Sequence, residues 1–199
     1  MGKIVVSENV SIDGVFQDPT GEEGIGRGHW FTRIGDRDRE EWAKALFDEV
    51  LGAEALLLGR RSYEYFATRY PSRGGELADR FNSLPKYVVS ATLQDPDWNN
   101  STVLKGDVVD VVSTLKHRVN GDIVVYASSR LVHTLIEHDL IDELRLTVFP
   151  FVLGAGNCLF DQTSTSNNTP LRLVDIRTVG DNLAFLTYRC MRDVGDSAG

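Results

Sequence analysis

Apolar and β-branched residues come along this chain in short runs, and the residues after each run decide the element it predicts. Lys3 to Val10 opens with Ile4, Val5 and Val6 and reads as a first strand, closed by Ser11-Ile12-Asp13-Gly14. Arg37 to Leu51 carries apolar residues at helical spacing. Ala43, Leu46, Phe47, Val50 and Leu51 form the expected buried arc, with Trp42 at its edge and Gly52 as the stop. Two later runs share one design. Ala55-Leu56-Leu57-Leu58 passes through Gly59-Arg60-Arg61-Ser62 into the helical Tyr63-Glu64-Tyr65-Phe66. Ile123-Val124-Val125-Tyr126 passes through Ala127-Ser128-Ser129-Arg130 into Leu131-Val132-His133-Thr134-Leu135-Ile136. Each reads as a strand, a polar corner and a helix.

Between and beyond these units the pattern predicts a short helix over Glu76 to Asn82, a strand at Tyr87-Val88-Val89-Ser90 and a short strand at Thr102 to Leu104. Asp107 is placed to cap a helix through Val119, with Val108, Val109, Val112 and Leu115 inward. Leu144 to Phe149 reads as a strand stopped by Pro150 and the Gly154-Ala155-Gly156 turn. Leu171 to Val179 and Leu183 to Arg189 flank Gly180-Asp181-Asn182, a hairpin signal. Strands alternate with helices up to about residue 150, and strands alone come after. That order predicts an α/β fold, a mostly parallel sheet finished by an antiparallel hairpin. No repeat or linker divides the chain, so residues 1–192 read as one domain and 193–199 as a frayed tail. Residues 17–35 hold Pro19 and five glycines, and loops longer than about 12–15 residues are usually functional, so this segment reads as a flap over a site.

Composition narrows the function classes. With 199 residues, 42% hydrophobic and 25% charged, the chain is of ordinary globular make-up. A net charge of −8 argues against a nucleic-acid binder, which needs an extended basic face. The N-terminus turns polar too early for a signal peptide, and no apolar stretch approaches the roughly 20 residues of a membrane span, so neither export nor a membrane partner is expected. Cys158 and Cys190 form no CxxC pair; reduced thiols and a cytoplasmic location are the simpler reading, with a single bridge left open. His29, His117, His133 and His138 lack metal-ligand spacing with the cysteines, so no metal is expected.

The corners are where chemistry is expected. A helix start leaves backbone N–H groups without partners and its dipole favours an anion. Arginine and serine there add donors suited to phosphate oxygens. Two such corners could grip a dinucleotide at two points. Gly24-Ile25-Gly26-Arg27-Gly28 follows no strand and so is not a dinucleotide fingerprint.

The element order and four segments resemble the dihydrofolate reductase-like superfamily, and within it the reductase domain of bifunctional riboflavin biosynthesis proteins and its stand-alone relatives. The segments are Ser11-Ile12-Asp13-Gly14, Leu56 through Glu64 with its Gly-Arg-x-Ser corner, Tyr87-Val88-Val89-Ser90, and Leu140 through Pro150 with Val152-Leu153-Gly154. Two departures accompany the match. Ala127-Ser128-Ser129 stands where the family usually has a glycine-rich corner, and the His-x-Glu and Pro-Cys-x-x-Cys of the zinc deaminase half are absent.

The resemblance implies a three-layer sheet with helices on both faces, NADPH as cofactor, a small heterocyclic substrate such as a pterin or pyrimidine riboside, and a homodimer. It implies cofactor contacts from Gly59, Arg60, Arg61, Ser62, Ser90, Thr92, Ala127, Ser128, Ser129, Arg130 and Leu131, with Trp30 beside the nicotinamide. Each has a plainer reading: Ser62 as a helix cap, solvated arginines, turn hydroxyls at Ser90 and Thr92, and Trp30 packing the flap onto the core. Asp13 is the expected proton donor if a partly dry site raises its pKa, and otherwise closes an Asp-Gly turn. Glu49, at the rim of its helix's apolar arc, is a second acid or else a salt-bridge residue. The leading expectation is a reductase. The alternative is a non-catalytic nucleotide- or ligand-binding protein that keeps the fold.

Overall fold

The computed structural model describes residues 1–22, 28–160 and 170–191. The tail expected to fray and residues 23–27 of the expected flap lie outside the described residues.

Among the described residues the main elements, in order, are β1 (Lys3–Ser11), α1 (Asp36–Gly52), β2 (Ala53–Gly59), α2 (Arg60–Ala67), α3 (Glu76–Ser83), β3 (Lys86–Val89), β4 (Ser101–Leu104), α4 (Val108–Arg118), β5 (Asp122–Tyr126), α5 (Ser129–Glu137), β6 (Glu143–Phe149), β7 (Leu171–Val179) and β8 (Leu183–Cys190). They build one eight-stranded sheet in the order β4-β3-β2-β5-β1-β6-β8-β7. The first six strands in that order are parallel, and β8 and β7 complete it antiparallel. The expected α/β architecture with its C-terminal hairpin is what the chain forms.

Strand alternation sorts the core into layers. On one face Ile4, Val6, Leu57, Ile123 and Val125 pack against Val112 and Leu115 of α4 and Leu131, Val132 and Leu135 of α5. On the other Val5, Leu56, Leu58, Val88 and Val124 pack against Val50 of α1, Tyr63 of α2 and Ala78 and Phe81 of α3. Lys86 is fully buried at the start of β3, where its ammonium donates to the carbonyls of Asn82 and Asn99 and lies 4.2 Å from the Trp98 ring. Burial pulls its pKa down to about 8.

The inward stripe of α1 differs from the arc expected of its sequence. Leu51 is 51% exposed, whereas Asp38 is buried and Glu49 faces the sheet. Leu46 and Val50 of that arc do pack inward, and beside them runs a stripe of Asp38, Trp42, Ala45 and Glu49, in which two acids occupy positions that a hydrophobic pattern cannot mark. Asp38 accepts from the backbone N–H of Asp181 (2.6 Å) and Asn182 (3.1 Å) and from the Asn182 side chain (2.9 Å). The Asn182 bond comes first among the causes holding its pKa below the usual carboxylate range. This acid pins the β7–β8 turn to the start of α1. A Cβ on Gly180 would collide with the same carboxylate, and Gly180 has φ +65°, so glycine is required there. Asp38→Ala leaves these donors without their acceptor and should cost about 1–3 kcal/mol in urea denaturation, with an unchanged m-value.

Candidate functional site

The two polar corners touch. The Gly59 N–H donates to Ser128 Oγ at 3.0 Å, and that hydroxyl donates in turn to the Tyr126 carbonyl at 3.1 Å. Both corners stand at the carboxyl ends of parallel strands, β2 and β5, that are neighbours in the sheet. Beside them lies an opening. β5 pairs with β1 only through Ser7, opposite Tyr126, whereas β1 runs on to Ser11 paired with β6 alone. The helices after β1 and β5 pack on opposite faces of the sheet. A crevice of this kind, outside strand ends whose connections diverge, is where open α/β sheets bind ligands.

At the first corner Gly59 precedes α2 and no side chain caps the helix. Ser62 lies inside the first turn and is buried, so it is not the cap that its sequence allowed. Arg60 is engaged: Nε meets Glu64 at 2.7 Å and Nη1 donates to Thr92 Oγ1 at 2.6 Å. Arg61 is exposed beside it. Ser90 Oγ accepts from the backbone N–H groups of Thr92 and Leu93, the turn role. Through Arg60 and Thr92 this turn after β3 is tied to the first corner.

At the second corner Ala127 (φ +53°) and Ser128 (φ +66°) both occupy the left-handed region. Such conformations cost about 1–2 kcal/mol per non-glycine residue, and glycine at either position would remove that cost. Ser128 precedes α5 without a side-chain cap, Ser129 and Arg130 form its first turn, and the Leu131 side chain is in the core, leaving its backbone N–H for the corner.

The acids expected at the site are otherwise occupied. Asp13 is exposed and accepts from Ser11 Oγ (2.6 Å) and from the backbone N–H groups of Gly154 (2.7 Å) and Leu153 (3.1 Å). The Ser11 and Gly154 bonds lead the causes that lower its pKa to about 2, the reverse of the raised value a proton donor needs. It works as a fixed carboxylate that ties the end of β1 to the 153–154 turn. Glu49 accepts from Ser7 Oγ (2.8 Å) and faces Arg145 (3.4 Å), which also binds Asp122 and Glu143. Burial raises its pKa, opposed chiefly by Arg145. This is the salt-bridge role, on the α1 face of the sheet.

Trp30 has no exposed surface. Its ring meets Phe149 edge-on at 5.0 Å, its Nε1–H donates to the Gln17 carbonyl, and it sits in a cluster with Val15, Leu153 and Leu183. Of the expected flap, the described part is therefore anchored by an aromatic plug, the packing role. Cys158 is a half-buried free thiol. Among the described residues no cluster could hold a metal ion, and no helix is long and apolar enough to cross a membrane.

Glu8 is a functional candidate that the sequence pattern does not single out. It is 8% exposed, and its Oε1 is buried without a hydrogen-bond partner among the described residues. A signal was present: a charged residue at a position whose neighbours on the same strand face, Ile4, Val6 and Val10, are all core.

Comparison with known proteins agrees with this architecture. The RibD C-terminal domain family matches residues 2–185, and the chain belongs to that family. It is 30% identical over 140 residues to the uncharacterized protein YyaP of Bacillus subtilis (strain 168), covering 68% of this chain and 73% of that one. Among solved structures, a putative riboflavin biosynthesis protein from Shewanella sp. PV-4 superposes with a TM-score of 0.70 at 21% identity, covering 96% of this chain and 99% of that one. The diaminohydroxyphosphoribosylaminopyrimidine deaminase/5-amino-6-(5-phosphoribosylamino)uracil reductase of Thermotoga maritima gives a TM-score of 0.64 at 14% identity, with 96% of this chain and 57% of that one covered.

The Asp13 tie fixes a pH dependence. Its carboxyl titrates at 3.8 when unfolded and about 2 when folded, so its contribution is complete above the first value and lost as pH falls through the second. Asp13→Asn should flatten this acid limb of a stability–pH curve, followed by thermal unfolding.

Proposed function

We propose that this protein is an NADPH-dependent reductase that passes hydride to a small heterocycle, a pyrimidine riboside of riboflavin-pathway type being the favoured class and a pterin the other. The observation that carries the reading is the bond from Gly59 N–H to Ser128 Oγ, which makes one cradle of two helix starts beside an opening in the sheet. Membership of the RibD C-terminal domain family supports it.

The residues fit the cofactor. Gly59 has φ −75°, and a Cβ there would meet Ser128 Cβ only at 3.6 Å, an ordinary contact. Neither conformation nor crowding by the protein calls for glycine, and the space it leaves suits the close approach of a pyrophosphate. The first-turn N–H groups of α2 and α5 have no side-chain caps to compete with phosphate oxygens. Arg61, exposed beside the cradle, suits the 2′-phosphate, while Arg60 holds the wall through Glu64 and Thr92. The cofactor supplies the hydride. The chain's own part is to orient it along the strand ends and, through the Trp30 plug and the Asp13 tie, to keep the end of β1 rigid beside the reacting atoms.

Fluorescence titration should find NADPH bound more tightly than NADH. Arg61→Ala should weaken NADPH by about 1.5–3 kcal/mol, roughly ten- to a hundredfold, and leave NADH little changed. An absence of binding at millimolar NADPH overturns the reading.

We further infer a homodimer built on β7. This strand is the sheet edge among the described residues, is exposed from Leu171 to Thr178 and presents Leu171, Leu173, Val174 and Ile176, an arrangement that invites pairing with a second copy about a two-fold axis. Light scattering should give twice the 22.1 kDa chain mass, and Ile176→Lys should reduce it to the monomer value; a monomeric parent protein contradicts the inference.

A further inference from the structure

The reduction of a C=N or C=O bond consumes a proton as well as a hydride, and neither acid that the sequence offered is suited to hold it. Asp13 is a carboxylate down to about pH 2, and Glu49 is bound to Ser7 and Arg145. We propose, resting on the reductase reading above, that Glu8 is the catalytic acid, delivering its proton to the substrate from the wall of the gap between the ends of β5 and β1.

Position is the first argument. Ser7 is the last residue of β1 paired with β5, opposite Tyr126. Glu8 is therefore the first residue of β1 whose β5 side is open, level with Ala127 where the second corner begins. Its other side is closed by Leu146 of β6. Alternation fixes the face. Ser7 and Asn9 bond Glu49 and Trp42 on the α1 face, so Glu8 shares the opposite one with Val6, Val10 and the Leu131 and Val132 side chains of α5. The carboxyl thus sits beneath the corner that precedes α5, among apolar neighbours.

The second argument is the missing partner. Oε1 is buried, and no donor among the described residues reaches it. A carboxylate with one oxygen buried and without a donor is penalised, and protonation relieves that cost. Burial, and after it the Glu49 carboxylate, raise the Glu8 pKa well above the usual range. The charged and titratable groups around it do not reverse this. Leu146, Leu131 and Val132 are neutral, and Tyr126 and Glu49 act from the α1 side. The nearby cation, Arg145, is committed to Glu49, Asp122 and Glu143. Burial thus favours the protonated form of Glu8, whereas Asp13 is held as a carboxylate by its hydrogen bonds.

The step balances. Hydride from NADPH forms a C–H bond at the carbon of the C=N or C=O group, leaving NADP+. The π electron pair moves to nitrogen or oxygen, which takes the proton of the Glu8 carboxyl. Water reprotonates the Glu8 carboxylate for the next turnover.

The test uses the intact protein and two independent readouts. Carboxyl 13C NMR of the unsubstituted protein should find Glu8 protonated at pH 7; a Glu8 resonance that titrates with ordinary glutamates overturns the proposal. Glu8→Gln keeps shape and neutrality but has no proton to give. With NADPH and 5-amino-6-(5-phosphoribosylamino)uracil it should lower kcat by about 10²–10⁴-fold while leaving the NADPH Kd within a factor of about three of the parent. It should also abolish the alkaline fall of kcat that the parent displays as Glu8 deprotonates. Binding of NADPH with undiminished kcat in Glu8→Gln overturns the proposal alone. Failure of the parent protein to bind or oxidise NADPH overturns the reductase reading and the proposal with it.

Discussion

The organising constraint of this structure is the parting of two neighbouring parallel strands. β5 and β1 pair side by side through Tyr126 and Ser7. Their helices then go to opposite faces, α5 against the layer of Val6 and Val125 and α1 against that of Val5 and Val124. β5 ends at Tyr126 and turns through Ala127 and Ser128 into α5, so β1 continues with β6 alone. The proposed site rests on this opening: the corners before α2 and α5 stand at neighbouring strand ends, left-handed residues shape the second corner, and Glu8 lies on the β1 side.

A second constraint keeps the opening from collapsing. The end of β1 is held by Asp13, which binds the turn at Leu153 and Gly154, and by the aromatic plug of Trp30, Phe31 and Phe149. On the opposite flank Arg60 ties α2 to Thr92. These contacts put side chains whose types suggest catalysis to work as braces instead. They also explain why a site can be built from strained backbone at Ala127 and Ser128: the surroundings over-determine the corner.

Much of the fold is legible in the sequence because it rests on local periodicity. Strand ends, the Asp107 cap with its bonds to Val109 and Asp110, and the Gly180 hairpin all fall within a residue or two of where pattern alone puts them. The corners, too, carry local signals, a run of apolar residues that stops at glycine or small residues before a helix. The illegible part is non-local. The face of α1 escapes a hydrophobic pattern because Asp38 and Glu49 are satisfied by Asn182 and Arg145, far along the chain. Asp13 resembles a free acid in sequence because two of its donors, the Leu153 and Gly154 N–H groups, lie about 140 residues away. Glu8 is inconspicuous because a single charged residue in a strand reads as a solvated position until the sheet closes around it.

The central claim is that the Gly59 and Ser128 corners together form one cofactor cradle, and backbone amide NMR tests it most directly. Adding NADP+ to the isotopically labelled protein should shift the amides of Gly59 to Ser62 and of Ser128 to Leu131 together, with one common dissociation constant. Shifts confined to one corner, or found only elsewhere on the chain, would contradict the account.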